Sequence, residues 1–149
     1  MPIEDKIIAI KKDFSSENWE VKYEKIIEYG KNWPGLNENS KIEDLKIKGC
    51  QSQVWIKAEL NAEKKIIFTG DSDAIIVKGL VAIVLKVYSG ESPETILATT
   101  PDFLKEIGFY SGLSSSSSSG LSSSRTNGLY AMIKQIKYYA TAFQYLLSK

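Results

Sequence analysis

Apolar residues return every three or four positions at the start of the chain. Ile3, Ile7, Ile10 and Phe14 share one face, so residues 3–14 predict a short amphipathic helix. Ser15 and Ser16 then offer side-chain oxygens to start a second helix, marked by Trp19, Tyr23, Ile26 and Ile27. Gly30 reads as its C-terminal stop, with Pro34 beyond. Residues 35–44 are polar and read as a loop.

From Val54 the period changes to two. Val54, Ile56, Ala58 and Leu60 face one way, and Gln53, Trp55, Lys57 and Glu59 the other. The polar "NAEK" and then "KIIFTG" predict a second strand and an antiparallel hairpin. "LKIK", just before, reads as a further short strand. In "DSDA", Ser72 or Asp73 supplies a cap for the next helix, Ala74 to Tyr88. That helix is apolar on nearly every side, with only Lys78 and Lys86 charged, which predicts a buried central helix too short for a bilayer. Gly79 inside it marks a close backbone approach, because an unused helical glycine costs about 1 kcal/mol against alanine. "SPE" at 92–94 and "TPD" at 100–102 each order a capping hydroxyl, a first-turn proline and an acid, and predict two short helices. Leu129, Met132, Ile133, Ile136, Ala140, Phe143 and Leu147 line one face of a long final helix, whose tyrosines mostly read as packing residues. Ahead of it, "GLSSS" occurs at 112–116 and again at 120–124. This repeat reads as a slipped tandem duplication, a flexible serine-rich insertion at about 112–122 with little to bury.

Composition narrows the chemistry. The chain has 149 residues, 43% of them hydrophobic, which suits one domain over 1–149 with a sizeable core. The net charge of +1 pulls toward neither nucleic acid nor a membrane, and neither is expected as a partner. The N-terminal stretch lacks the apolar core of a signal peptide, so a cytoplasmic location is the expectation. No histidine is present, which excludes Ser-His-Asp and Cys-His catalysis and histidine-bearing metal sites within the chain. Cys50 is the one cysteine, so no internal disulfide, CxxC pair or four-thiolate cluster can form, and no metal site is expected. A lone intracellular cysteine is often a small buried hydrophobe. Here it precedes the alternating strand instead of filling its apolar face, Gly49 frees the backbone beside it, and Lys46 and Lys48 stand near enough in sequence to favour thiolate. Gln51, Ser52 and Gln53 serve equally well as strand-edge hydrogen-bonding groups or as contacts to a partner.

The blocks "KGCQSQVW", "GDSDAIIVKGL" and "SRTNGLYAMI", in that order, resemble the SufE family, as does "NWEVKYEKIIEYGKNWPGL" near the N-terminus. The resemblance runs from about Asp13 through the final helix. It implies an α+β fold, a small antiparallel sheet packed against helices, like that of the iron–sulfur scaffold protein. It implies that Cys50 lies on an exposed loop and accepts persulfide sulfur from a pyridoxal-phosphate cysteine desulfurase of the SufS kind. The carrier would stimulate that enzyme and pass the sulfur to a downstream iron–sulfur scaffold. The pyridoxal phosphate belongs to the partner, so no cofactor is expected here. Arg125 falls on the arginine of the family's "SR" block, and Asp73 and Lys78 fall within its "DSDAAIVKGL" block. With Gly49, Gln51, Ser52 and Gln53 these are the expected partner-binding or loop-supporting residues. Where relatives usually read "QHLTPSRSNGL", this chain reads "SGLSSSRTNGL" once the duplicated residues are set aside, with Ser123 for the proline and Gly112 for the histidine. Such a protein is a transfer partner of an enzyme more than a free-standing hydrolase or oxidoreductase. A cluster scaffold and a single-cysteine peroxidase are the rival readings of the lone thiol.

Overall fold

The computed structural model describes residues 1–109 and 120–149. Among these, six helices and two strands follow in the order α1 (Ile3–Asp13), α2 (Trp19–Lys31), β1 (Val54–Leu60), β2 (Ile66–Ser72), α3 (Ile75–Tyr88), α4 (Pro93–Ala98), α5 (Asp102–Glu106) and α6 (Ser123–Leu147). The strands pair antiparallel, with Val54 opposite Ser72 and Leu60 opposite Ile66. This is the expected α+β class.

Helix α3 is the spine of the molecule. Ten of its residues are buried, and β2, α1, α2 and α6 all pack on it. Its Gly79 is where α2 crosses. A Cβ at Gly79 would stand 2.1 Å from the Ile26 carbonyl oxygen, and one at Gly30 would stand 2.9 Å from the Gly79 amide nitrogen. Gly30 is therefore a packing glycine inside α2, which runs on to Lys31, and not the stop that the sequence suggests. The cap at the other end of α2 is Asn18, whose Oδ1 accepts from Glu20 at 2.8 Å; Ser16 instead holds the Asn18 amide.

Other starts also depart from the pattern. Ser92 caps α4 through the Thr95 amide, as the sequence predicts. Thr100 instead bonds the Asp102 carboxylate, and Pro101 occupies the N-cap position of α5. "LKIK" forms no strand. Leu45 closes a 3-10 turn, and only the Lys46–Trp55 bridge joins this segment to β1. Alternation puts Trp55 on the same side as Lys57 and Glu59, but its aromatic ring reads as packing on the sheet. It is buried, and the Lys41 ammonium sits 5.6 Å from its ring. The loop of residues 35–45 thus covers the face that alternation alone assigns to water.

Asp71 anchors that loop. It is buried and accepts from the amides of Leu36 at 3.0 Å and Ser72 at 2.8 Å, with Lys41 at 3.4 Å and Lys78 at 4.0 Å. Burial opposes ionisation of its carboxyl, but the two amides and two ammonium groups outweigh it and hold the group below the usual carboxylate range.

Three lysines close helix C-termini from a distance. The Lys6 ammonium reaches Ser89 O at 3.0 Å and Glu91 at 2.6 Å beyond α3. The Lys22 ammonium reaches Ile107 O at 2.7 Å beyond α5. The Lys137 ammonium bonds the carbonyls of Ile96 and Thr99 around the end of α4. Each supplies charge where terminal carbonyls lack partners.

Of the serine-rich segment, residues 112–119, Gly112 among them, lie outside the described residues. Its last residues are anchored. Gly120 O accepts from Tyr23 Oη at 2.9 Å, Leu121 packs on the core, and Ser122 caps α6 through the Arg125 amide.

Candidate functional site

Cys50 ends the turn between the Lys46 bridge and β1. Gly49 holds φ +92°, a left-handed conformation that favours glycine, and a Cβ there would stand 3.7 Å from Cβ of Ala131 on α6. The turn therefore lies against α6 with its thiol directed inward. Cys50 Sγ is 3.9 Å from the Gly128 carbonyl oxygen, within reach of a weak S–H···O contact. A Cβ at Gly128 would stand 3.6 Å from the sulfur, in ordinary van der Waals contact with it. Burial pushes the Cys50 thiol up from its ordinary value. Lys46 engages Glu43, so the thiolate-stabilising part given to it by sequence proximity is not what dominates here. The resting sulfur is a half-buried thiol.

It opens onto a cavity of about 650 Å³ whose walls include Gln51, Ser52, Asp73, Ile75, Arg125 and Met132. Two helix starts meet there, α3 through Ala74 to Val77 and α6 through Ser122 to Gly128. Ala74 gives α3 no side-chain cap, so the first-turn amides of that helix remain as positive dipole ends at the cavity. The Arg125 guanidinium lies 5.8 Å over the Tyr23 ring, with Nη1 3.4 Å from the Tyr23 hydroxyl, which fixes it at the rim.

Asp73 does not cap α3. Its Oδ1 accepts the Gln53 backbone amide and its Oδ2 the Gln53 side-chain amide, both at 3.1 Å. Ser72 Oγ donates to Gln53 O at 2.7 Å and accepts from Ala74 at 3.2 Å. The β2–α3 turn thus fastens the far end of the cysteine loop. Of the residues singled out in the sequence, Cys50, Gln51, Ser52, Asp73 and Arg125 share the cavity; Gly49 and Gln53 support the loop. Lys78 points to Asp71 and is not among the cavity residues. Ile75, Gly128, Met132 and Tyr23 enter the site only through tertiary structure. For Ile75 the local signal is an α3 apolar on all sides, which leaves some apolar residue at its exposed end.

A profile described as an Fe-S metabolism associated domain, SufE, matches residues 8–140. SufE-like protein 1, chloroplastic/mitochondrial, of Arabidopsis thaliana is 38% identical over 137 residues, covering 89% of this chain and 35% of its own length. An uncharacterized SufE-like protein of Synechocystis sp. is 39% identical over 123 residues, covering 83% of this chain and 72% of its own. The chain therefore spans about a third of the plant relative. In architecture it is similar to a hypothetical protein of Thermus thermophilus solved in solution, with a TM-score of 0.71 at 20% identity, over 93% of this chain and 96% of that one. With the matched profile running from the first helix into the last, and both relatives aligned over most of its length, this chain belongs to the SufE family.

Proposed function

We propose that this protein accepts sulfur on Cys50 from a pyridoxal-phosphate cysteine desulfurase, stimulates that enzyme, and carries the sulfur to an iron–sulfur scaffold. The observation that carries this reading is the placement of its one thiol. In a chain of the SufE family, Cys50 lines an open cavity whose rim holds Arg125 and the uncapped start of α3.

The transfer is an exchange at sulfur. Cys50 loses its proton to solvent or to the departing group, and its thiolate attacks the outer sulfur of the donor's cysteine persulfide. A sulfur–sulfur bond forms to Cys50, the donor's own sulfur–sulfur bond breaks, and its electron pair leaves with the donor thiolate. No net oxidation occurs. The new persulfide terminus is anionic, and the guanidinium of Arg125 and the α3 amide dipoles suit that charge. No second cysteine exists to attack the carried sulfur and expel it as sulfide.

The test is mass spectrometry after incubation with the desulfurase and cysteine. A one-sulfur adduct on Cys50, released by dithiothreitol and missing from Cys50→Ser, is expected. An adduct that persists in Cys50→Ser sinks the assignment.

A further inference from the structure

A second cavity, of about 390 Å³, opens where the ends of α1 and α2 meet the later turns of α3. Its walls include Asp13, Glu28, Tyr29, Trp33, Ala82 and Lys86, and it shares no residue with the cavity at Cys50. Roughly 16 Å along α3 separates Ile75 in that cavity from Lys86 in this one. The volume falls within the range of small-molecule sites.

The aromatic walls are fixed from behind. The Tyr29 ring stacks on buried Phe14 with centroids 5.7 Å apart, and its hydroxyl donates to Asp13 Oδ2 at 2.5 Å. Burial, with Asp13 beside it, pushes the Tyr29 hydroxyl up from its ordinary value, so it remains a donor. Trp33 Nε1 donates to the Gly70 carbonyl oxygen at 2.9 Å. A ligand therefore has neither ring to order.

Charges of both signs line this cavity without neutralising each other. Asp13 is the last residue of α1, and Glu28 lies in the last turn of α2. Acids there sit against the negative ends of the helix dipoles, so helix stability does not account for them, and they concentrate negative potential at the cavity. The Lys86 ammonium stands 5.2 Å from the Tyr29 ring centre. Among the described residues, no ion pair joins it to either carboxylate. A plain cation meets Lys86 as a like charge, and a plain anion meets the two carboxylates. A small molecule carrying both an ammonium and a carboxylate satisfies both signs.

We propose that this cavity binds a free α-amino acid, its ammonium held by Asp13 and Glu28, its carboxylate by Lys86, and its side chain against Trp33. The site stands apart from Cys50 and does not rest on the sulfur-carrier reading. Its charged groups are exposed, so binding is roughly millimolar and weakens with salt.

The test is a titration of the full-length, isotope-labelled protein with L-leucine at low salt, followed through the amide resonances of Tyr29, Trp33 and Ala82. Isoamylamine and isocaproate, which keep the carbon skeleton but carry one charge each, are titrated alongside. L-leucine is expected to saturate the shifts, and each one-charge analogue to bind at least about tenfold more weakly. Lys86→Met and Glu28→Gln should each weaken L-leucine about tenfold. Lys134→Met, at an exposed position on α6 outside the cavity, should leave it unchanged. Melting curves confirm that these exposed substitutions leave the fold intact. Shifts still rising linearly at about 100 mM L-leucine overturn the site. Isoamylamine binding as tightly as L-leucine also overturns it, and makes the cavity a receptor for a basic side chain of another protein. Equal weakening in Lys134→Met overturns it as a general effect of charge.

Discussion

Asp73 holds Gln53 twice, through the backbone amide and the side-chain amide, each at 3.1 Å. The pair locks the exit of the cysteine turn to the entry of α3. Asp73→Ala removes a carboxylate acceptor from both donors. Because the pair is exposed, the expected stability loss is only about 1 kcal/mol, a fall of roughly 3 °C in melting temperature. The larger effect is expected in the turn: alkylation of Cys50 by iodoacetamide should quicken several-fold. Unchanged alkylation would show that the turn is held elsewhere.

The Cys50 thiol is shifted upward by burial, so the folded state favours the neutral form. Its contribution to stability is present below the unfolded pKa and is lost as pH rises through the folded one. The alkylation rate of the native protein should therefore inflect above the ordinary thiol range and return to that range in urea. Matching inflections in both conditions would contradict the burial.

Arg125→Ala should slow persulfide acceptance several-fold with the fold intact, since the cation at the cavity rim is lost. Arg125→Lys should restore it only in part, because an ammonium lacks the planar face that lies over Tyr23. Rates of Cys50 persulfide formation measured by mass spectrometry decide this; equal rates in all three proteins would remove Arg125 from the site.

Gly79→Ala sets two effects against each other. Helix propensity gains about 1 kcal/mol. The new methyl, however, meets the Ile26 backbone oxygen at 2.1 Å, which no rotamer change relieves. Forcing α2 from α3 costs more than the propensity returns, and a net loss of at least about 2 kcal/mol is expected in urea titrations. A variant as stable as the parent would mean that the helices separate freely.

Deleting Ser114 to Leu121 removes the anchored Gly120 and Leu121, but the join recreates "SGLSSSR" from the first copy. The span can be bridged. Thr126 Oγ1 lies 3.5 Å from the Phe109 carbonyl oxygen, so the retained residues on either side of the segment lie close together. Stability should change by less than about 0.5 kcal/mol. A large fall in melting temperature would show that the two copies are not interchangeable.

Periodicity reveals most of the elements because their contacts repeat locally. Ile3, Ile10 and Phe14 are buried on one face of the first helical stretch, and Val54 and Ile56 are buried in β1, as their spacing requires. The local pattern misleads where a distant segment supplies the partner. Trp55 is buried because Lys41 and its loop fold over it, and Gly30 is a glycine because Gly79 crosses it. Cap placement between Ser15 and Asn18 turns on backbone geometry within a stretch rich in competent oxygens. Cys50 stands out by its solitude and its block, and Arg125 by its block. Asp73 is visible in sequence but reads as a cap, since nothing local announces that its oxygens turn toward Gln53. Ile75, Gly128 and Met132 join the site only once α3 and α6 converge.

The lysines that close helix ends bear on the order in which the chain assembles. Helices of six and five residues, such as α4 and α5, have no independent stability in water. The ammonium closing α5 comes from Lys22 near the N-terminus, whereas the one closing α4 comes from Lys137 in the last helix. During synthesis the N-terminal half can receive α5 as soon as it emerges. The end of α4 must wait for almost the whole chain. The region that completes last is thus the one packed against α6, the helix that also backs the cysteine turn. A nascent or truncated chain lacking α6 has its thiol without the wall that shields it.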